Sequence, residues 1–311
     1  MKKLIFFMKC ADYGCHYGDL FTSKGYIQQI VNELKTTIDI KYWHECHPKA
    51  LLDLGLDTCQ LDLSKEDFSQ SYIERDDILY VNLWTAQREE FSGKVGVNHE
   101  FLQRAWKKIF DKINSFHNVN LVLHNMEYYV ASIDYSFFRN NEKLSMYLKN
   151  SANKKILISN GPATSGQSFA DNMSSSINAL AASYKNFDFI CTSKFKTKNS
   201  NIKFTDDIID QGEAVNKESS PRPTCDINEI SYLSTFCDII VGKNSGPFIY
   251  CLTKDNIFDD KKIIISFHKR KTDDMLLYLK YKCKYFYYKL YEKNYSPNVV
   301  LEVLKEKIQS V

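Results

Sequence analysis

Short apolar runs alternate with longer amphipathic stretches along this 311-residue chain, and that rhythm constrains its fold more than any other feature. It is the signature of βαβ units wound around a mainly parallel sheet. Leu4 to Met8 reads as a first strand, followed by a loop from Asp12 to Asp19. A helix then runs from Leu20 to Leu34, with Phe21, Tyr26, Ile27, Ile30, Val31 and Leu34 as its apolar stripe. Further strands are expected at 38–43, at 78–83 (introduced by Asp76-Asp77) and at 120–124, with an amphipathic helix over 99–116. The pattern restarts at Lys154. Strands are expected at 154–159, 187–192, 202–204, 238–242 and 262–267, and helices near 168–184, 228–235 and 298–310. Residues 210–224, with two prolines among small polar residues, read as a loop.

Chains of this length commonly divide into domains of about 150 residues. The restart places the boundary at 150, giving two Rossmann-like, doubly wound α/β domains, 1–150 and 151–311. The last helix is free in sequence to pack back on the first domain. In such sheets ligands bind outside the carboxyl ends of the strands, so the strand-to-loop junctions are the places to search.

Bulk properties exclude several classes. The 41 basic and 38 acidic residues leave a net charge of +3, too small an excess for a dedicated nucleic-acid binder, whose affinity comes largely from neutralising phosphates. The 9 cysteines fall at irregular intervals without a Cys-x-x-Cys pair, which argues against a disulfide framework and a structural zinc site. After Met1-Lys2-Lys3 the apolar run is only Leu4 to Met8 before Lys9, Cys10 and Asp12 interrupt it, too short for a signal core or a membrane span. A cytoplasmic protein is the resulting expectation.

Three strand-end segments carry the chemistry. Cys237-Asp-Ile-Ile-Val-Gly-Lys-Asn-Ser-Gly-Pro247 is a strand opening into a turn and then an apolar helix start. Gly242 lets backbone approach a ligand, Lys243 adds a charge, Asn244 and Ser245 add polar groups, and Pro247 suits a first helical turn. Read without a ligand, it is a plain turn. The second segment, Ser159 to Ser168, holds Asn160, Gly161, Ser165 and Gln167. It matches neither a dinucleotide fingerprint nor a P-loop. The third is Gly18-Asp19, where Asp19 reads as a helix cap or a general base, with His16 as a competing base. Lys194 ends another strand, and His44 and His124 end two in the first half. His44, Cys46 and His47 lie close in sequence but lack a second ligand pair, and the recurring Asp pairs look like loop chemistry. No metal is therefore expected.

The segment from Cys237 to Pro247 resembles the motif of family 9 glycosyltransferases, the heptosyltransferase group, in which a strand ends in a Gly-x-Asp-Ser/Thr-Gly-Pro loop against the nucleotide sugar. Asn244 stands where that family has Asp, and Ile249 or Tyr250 where it has His. The resemblance implies a GT-B fold of two facing Rossmann-like domains. It makes 1–150 the acceptor side, with Gly18, His44 and His124 near the acceptor and Asp19 or His16 as base. Residues 151–311 become the donor side, with Asn160, Gly161, Ser165, Gln167, Lys194, Lys243, Asn244, Ser245, Gly246 and Pro247 around the nucleotide sugar. The implied activity is metal-independent transfer of a sugar from a nucleotide-sugar to a glycan or lipid-linked acceptor. The alternatives are a nucleotide-sugar epimerase or hydrolase, and a non-catalytic binding protein on the same scaffold. Residues 280–294 mix lysines with tyrosines. That pattern fits either a strand and helix with rings inward or a peripheral contact with the inner face of a membrane.

Overall fold

The computed structural model describes residues 2–9, 17–44, 50–91, 99–138, 140–161, 171–210, 227–243, 245–268, 276, 279–290 and 295–311. The chain forms two compact units, the first ending its main run at Phe137 and the second beginning at Phe138. The sequence placed this division at 150. Helix α4 (Glu142–Asn150) instead belongs to the second unit, where Asn141 donates to the carbonyl of Asp210 at 2.9 Å and Tyr147 to Asp188 at 2.8 Å.

In the first unit, β1 (Lys3–Met8), α1 (Tyr17–Leu34), β2 (Asp39–His44) and β3 (Asp57–Thr58) precede β4 (Tyr72–Arg75), β5 (Ile78–Asn82), α2 (Leu83–Arg88) and α3 (His99–His117). The sheet order is β3-β2-β1-β5-β4, parallel except for the edge strand β4. Asp76-Asp77 forms the turn of a β4–β5 hairpin, with Asp76 at φ 49, a left-handed conformation that Asp tolerates better than most residues. Alternation places Leu4, Phe6, Tyr42, Leu79 and Val81 on one face, buried under α1 and α3 through Ile27, Ile30, Trp106 and Ile109. Ile5, Phe7 and Tyr80 face the other way, against Leu61, Leu63 and Phe68.

Residues 120–124, expected as a strand, are irregular. Side chains take the bonds that a ladder would need. Asn114 bonds both the N–H and the carbonyl of Leu121, at 2.7 and 3.0 Å, and Gln29 donates to the carbonyl of Val122 at 2.9 Å. These backbone groups of Leu121 and Val122, bonded to side chains of α1 and α3, are not left for a strand ladder.

The second unit continues with β6 (Lys154–Ser159), α5 (Ser174–Ser183), β7 (Phe187–Cys191), β8 (Ile202–Phe204), α6 (Thr205–Ile208), α7 (Ile227–Ser234), β9 (Ile239–Lys243), α8 (Gly246–Ile249), α9 (Lys254–Ile257), β10 (Ile263–His268), β11 (Lys284–Lys289) and α10 (Pro297–Ile308). All six strands are parallel, in the order β11-β10-β9-β6-β7-β8, the arrangement of a dinucleotide-type Rossmann sheet. Strands β7, β9 and β10 are buried along their whole length, which is why their sequences are continuous apolar runs. Helix α10 packs on α5 within its own unit, burying Val300, Leu304 and Ile308, and Ser176 donates to the carbonyl of Pro297 at 2.6 Å. Among the described residues no helix is long and apolar enough to cross a membrane.

Candidate functional site

Strand order reverses between β6 and β9 in the second sheet, and the crevice outside such a reversal is where ligands bind in this class of fold. The two loops singled out from sequence meet there. Ser159 closes β6 opposite Gly242 of β9, and its hydroxyl lies 2.8 Å from that of Ser245. Gly246 and Pro247 open α8, so the loop after β9 turns directly into a helix. Lys243 ends β9 fully buried, and its ammonium donates to the carbonyl of Asp171 at 2.8 Å, just before α5. Burial lowers its pKa to about 8, against a smaller opposing pull from Asp171. The Lys243 side chain is thus turned toward the segment that leads into α5.

Several expected contacts turn inward. Asn160 is fully buried. Its amide nitrogen donates to the carbonyls of Asn172 and Ser193 at 3.2 and 3.0 Å, and its oxygen accepts from the Ser193 N–H at 2.9 Å. It therefore staples the loops after β6 and β7 to the start of α5. The space over Gly242 is filled by Phe248 of α8, not left for a ligand: a Cβ there would lie 2.0 Å from the ring. Lys194 is exposed and paired with Asp207 at 2.6 Å, which raises its pKa. Gly161 is buried at the end of a described stretch, while Ser165, Gln167 and Asn244 lie outside the described residues.

The first sheet reverses between β1 and β5. Gly18 and Asp19 sit in the first turn of α1, which begins at Tyr17, so Asp19 lies inside the helix and not at its cap. Burial raises the Asp19 pKa to about 6, offset in part by the charge of Arg88 and by its own N–H. Its carbonyl accepts from Thr22 and Ser23, each at 2.8 Å. Gln87 of α2 donates to the Ser23 hydroxyl at 2.7 Å, tying this turn to the β5 side. Arg88 lies over the Trp84 ring at 4.2 Å. Asn82, fully buried, caps α2 through the Trp84 N–H at 3.2 Å. Lys24, one turn further along α1, forms a buried pair with Asp53 at 2.6 Å.

His124 is exposed in the irregular run, its N–H donating to the Tyr129 hydroxyl at 2.7 Å and its ring 4.4 Å from Tyr128. His44 ends β2. His16, Cys46 and His47 lie outside the described residues, among which no group of three or more His, Cys, Asp or Glu is gathered.

The sequence reading missed Arg88, Gln87 and His268. His268 ends β10, 2% exposed, stacked on Tyr287 at 5.7 Å, and its Nδ1 has no partner among the described residues. Burial lowers its pKa from 6.5 to about 4. The folded state therefore favours the neutral ring. Stability is complete above pH 6.5 and falls as pH drops towards about 4, by up to about 3 kcal/mol. Denaturant melts across that window should show the loss, and His268→Phe should flatten it. An unchanged acid limb in the variant would assign the loss to other groups.

No family model matches the sequence, and no curated protein matches it either. Solved structures do. The chain is similar to the ADP-heptose LPS heptosyltransferase II of E. coli, with a TM-score of 0.52 and 12% identity over 98% of each chain. It is also similar to a glycosyl transferase family 9 protein from Veillonella parvula, with a TM-score of 0.48 and 9% identity over 100% of this chain and 98% of that one. The chain has a GT-B fold, two Rossmann-like units in one polypeptide.

Proposed function

We propose that the protein is a glycosyltransferase that takes a sugar from a nucleotide-sugar donor, bound by the second unit, and passes it to a hydroxyl of a glycan or lipid-linked acceptor. The observation that carries this reading is the meeting of Ser159 and Ser245 at the β6/β9 reversal, where buried Lys243 ends β9. In this reading Ser245 and the first N–H groups of α8 bind the diphosphate, and Lys243 offsets the charge that develops as it departs. No metal is needed for that role. Asp19, with a pKa near 6, suits a base that takes the acceptor's proton close to neutral pH.

Thermal melts against nucleoside diphosphates and nucleotide-sugars, with and without magnesium, test the donor site. One base should stabilise the chain selectively, by about 2.7 kcal/mol at a hundredfold excess over Kd. Magnesium should leave the effect unchanged, and Ser245→Trp should remove it. If none of the nucleotides shifts the melt, the reading fails. Product analysis then separates chemistries: free sugar without acceptor marks a hydrolase, and binding without turnover marks a scaffold protein.

A further inference from the structure

The loop that carries Ser245 rests on Phe248, and one side of that ring is closed by a buried histidine that the donor-site reading leaves unused. Helix α8 is only four residues long. Its bonds run from the N–H groups of Ile249 and Tyr250 back to the carbonyls of Ser245 and Gly246, each at 3.0 Å, so Ser245 moves with the helix. The far end of α8 is tied down where Ser231 of α7 donates to the Tyr250 carbonyl at 2.6 Å. Nearer Ser245 the hold comes from the Phe248 ring, which lies against Gly242.

His268 meets the same ring. In β10, Ile263, Ile265 and Phe267 enter the core shared with α5 and α10, so alternation turns Ser266 and His268 to the α8 face. Ser266 pairs in register with Gly242 and Phe267 with Lys243, which sets His268 level with the first loop position after β9. Its ring meets Phe248 edge-on with centroids 6.4 Å apart, within the range of a favourable aromatic pair. Tyr287 of β11 stacks on it. Simple filling of space does not call for this residue. Nδ1 of His268 and Oγ of Ser266 are buried with no partner among the described residues, a cost that an all-carbon ring would avoid at position 268. Burial is the sole cause of the lowered pKa of His268. Lys243 of β9 turns to the opposite face to reach Asp171, α8 has no titratable side chain, and Lys289 of β11 is exposed. The ring is therefore kept neutral, the form that packs against Phe248 without an uncompensated charge.

We infer that His268 is a positioning residue for the proposed donor site, holding Phe248, and through it α8 and Ser245, where a nucleoside diphosphate binds. The inference rests on the donor-site reading and gives that site a support on β10. Direct binding of ADP, GDP, UDP and CDP to the folded full chain tests it. His268→Ala removes the buttress and should weaken the nucleotide the native chain prefers by about tenfold, whereas His268→Phe keeps a ring there and should bind within about twofold of native. Native affinity in His268→Ala overturns the inference. So does His268→Phe binding as weakly as His268→Ala, because the ring contact would then not be what acts. A second readout separates positioning from a general loss of structure. By linkage, a ligand that binds best when the neutral ring is in place must lower the pKa of that ring. The His268 resonance, identified by its absence from His268→Phe, should therefore titrate below about 4 when nucleotide is bound. A threefold preference for the neutral form moves the midpoint down by about half a pH unit. Direct contact with the diphosphate would raise the midpoint, and a histidine that only fills space would leave it unmoved; either result overturns the inference. If none of the four nucleotides binds the native chain, the donor-site reading fails and this inference with it. Native binding with unaltered variants removes the positioning role alone.

Discussion

Asp19→Asn is expected to stabilise the protein at neutral pH while removing its proposed activity. The sign follows from the raised pKa. A carboxyl that titrates at 3.8 in the unfolded chain and near 6 in the folded one holds its proton more tightly when folded. Its contribution to stability is complete below pH 3.8 and is lost as pH rises through about 6. Above that, the folded state carries a charge that burial disfavours, by up to about 3 kcal/mol and less in proportion to the solvent that reaches this half-buried side chain. Asparagine has nearly the same shape and cannot ionise. The variant should therefore melt higher than the native chain at about pH 8 and equally at about pH 4.

An ordinary role in the first turn of α1 predicts the opposite sign. A carboxylate there interacts favourably with the helix dipole, so its removal would destabilise by roughly 0.3–1 kcal/mol near neutral pH. Melts at the two pH values therefore decide between a strained functional carboxyl and a helix-stabilising one before any substrate is known. Once a donor and acceptor are in hand, turnover should fall by about a hundredfold or more, with nucleotide stabilisation unchanged because Asp19 lies in the other unit. Arg88 lowers the Asp19 pKa, so Arg88→Gln should raise the titration midpoint seen by carbon-detected NMR. An unmoved midpoint would remove Arg88 from this account.

How far these features were legible from sequence depends on what fixes each of them. Strands buried on both faces announce themselves, and Ile156–Ile158, Ile239–Val241 and Ile263–Ile265 were readable for that reason. Edge strands bury little, so Tyr72–Arg75 and Lys284–Lys289 carry no comparable apolar run. The run at 120–124 has strand composition, but Asn114 and Gln29 claim its backbone, a competition invisible in local pattern. The loops after β6 and β9 were legible as strand-end turns because Gly, Ser and Pro punctuate strand ends. Their internal wiring was not. Whether Asn160 faces ligand or backbone depends on Ser193, and the Tyr295 hydroxyl reaches Asp171 across a separation of 124 residues. Arg88 gave no signal because a lone arginine after a strand is usually a solvated side chain.

Gly242→Ala is expected to disrupt the proposed donor site from inside the fold. A methyl at this position would lie 2.0 and 2.2 Å from ring atoms of Phe248 and 2.5 Å from its Cβ. Ring rotation cannot relieve the last of these, because the Phe248 Cβ moves only with the backbone of α8. That four-residue helix is fixed to the loop holding Ser245, whose hydroxyl meets Ser159 at 2.8 Å. The whole 245–249 segment must therefore move outward, separating the two hydroxyls. Overpacking of this kind costs about 1–3 kcal/mol, and the selective nucleotide stabilisation should disappear with it. Phe248→Leu makes room by removing ring atoms, so Gly242→Ala combined with Phe248→Leu should lose less than the two single changes added together. Melts of the four proteins complete the cycle. Strict additivity would mean that the Gly242–Phe248 contact does not position the loop, and that the glycine answers to something else in the strand end.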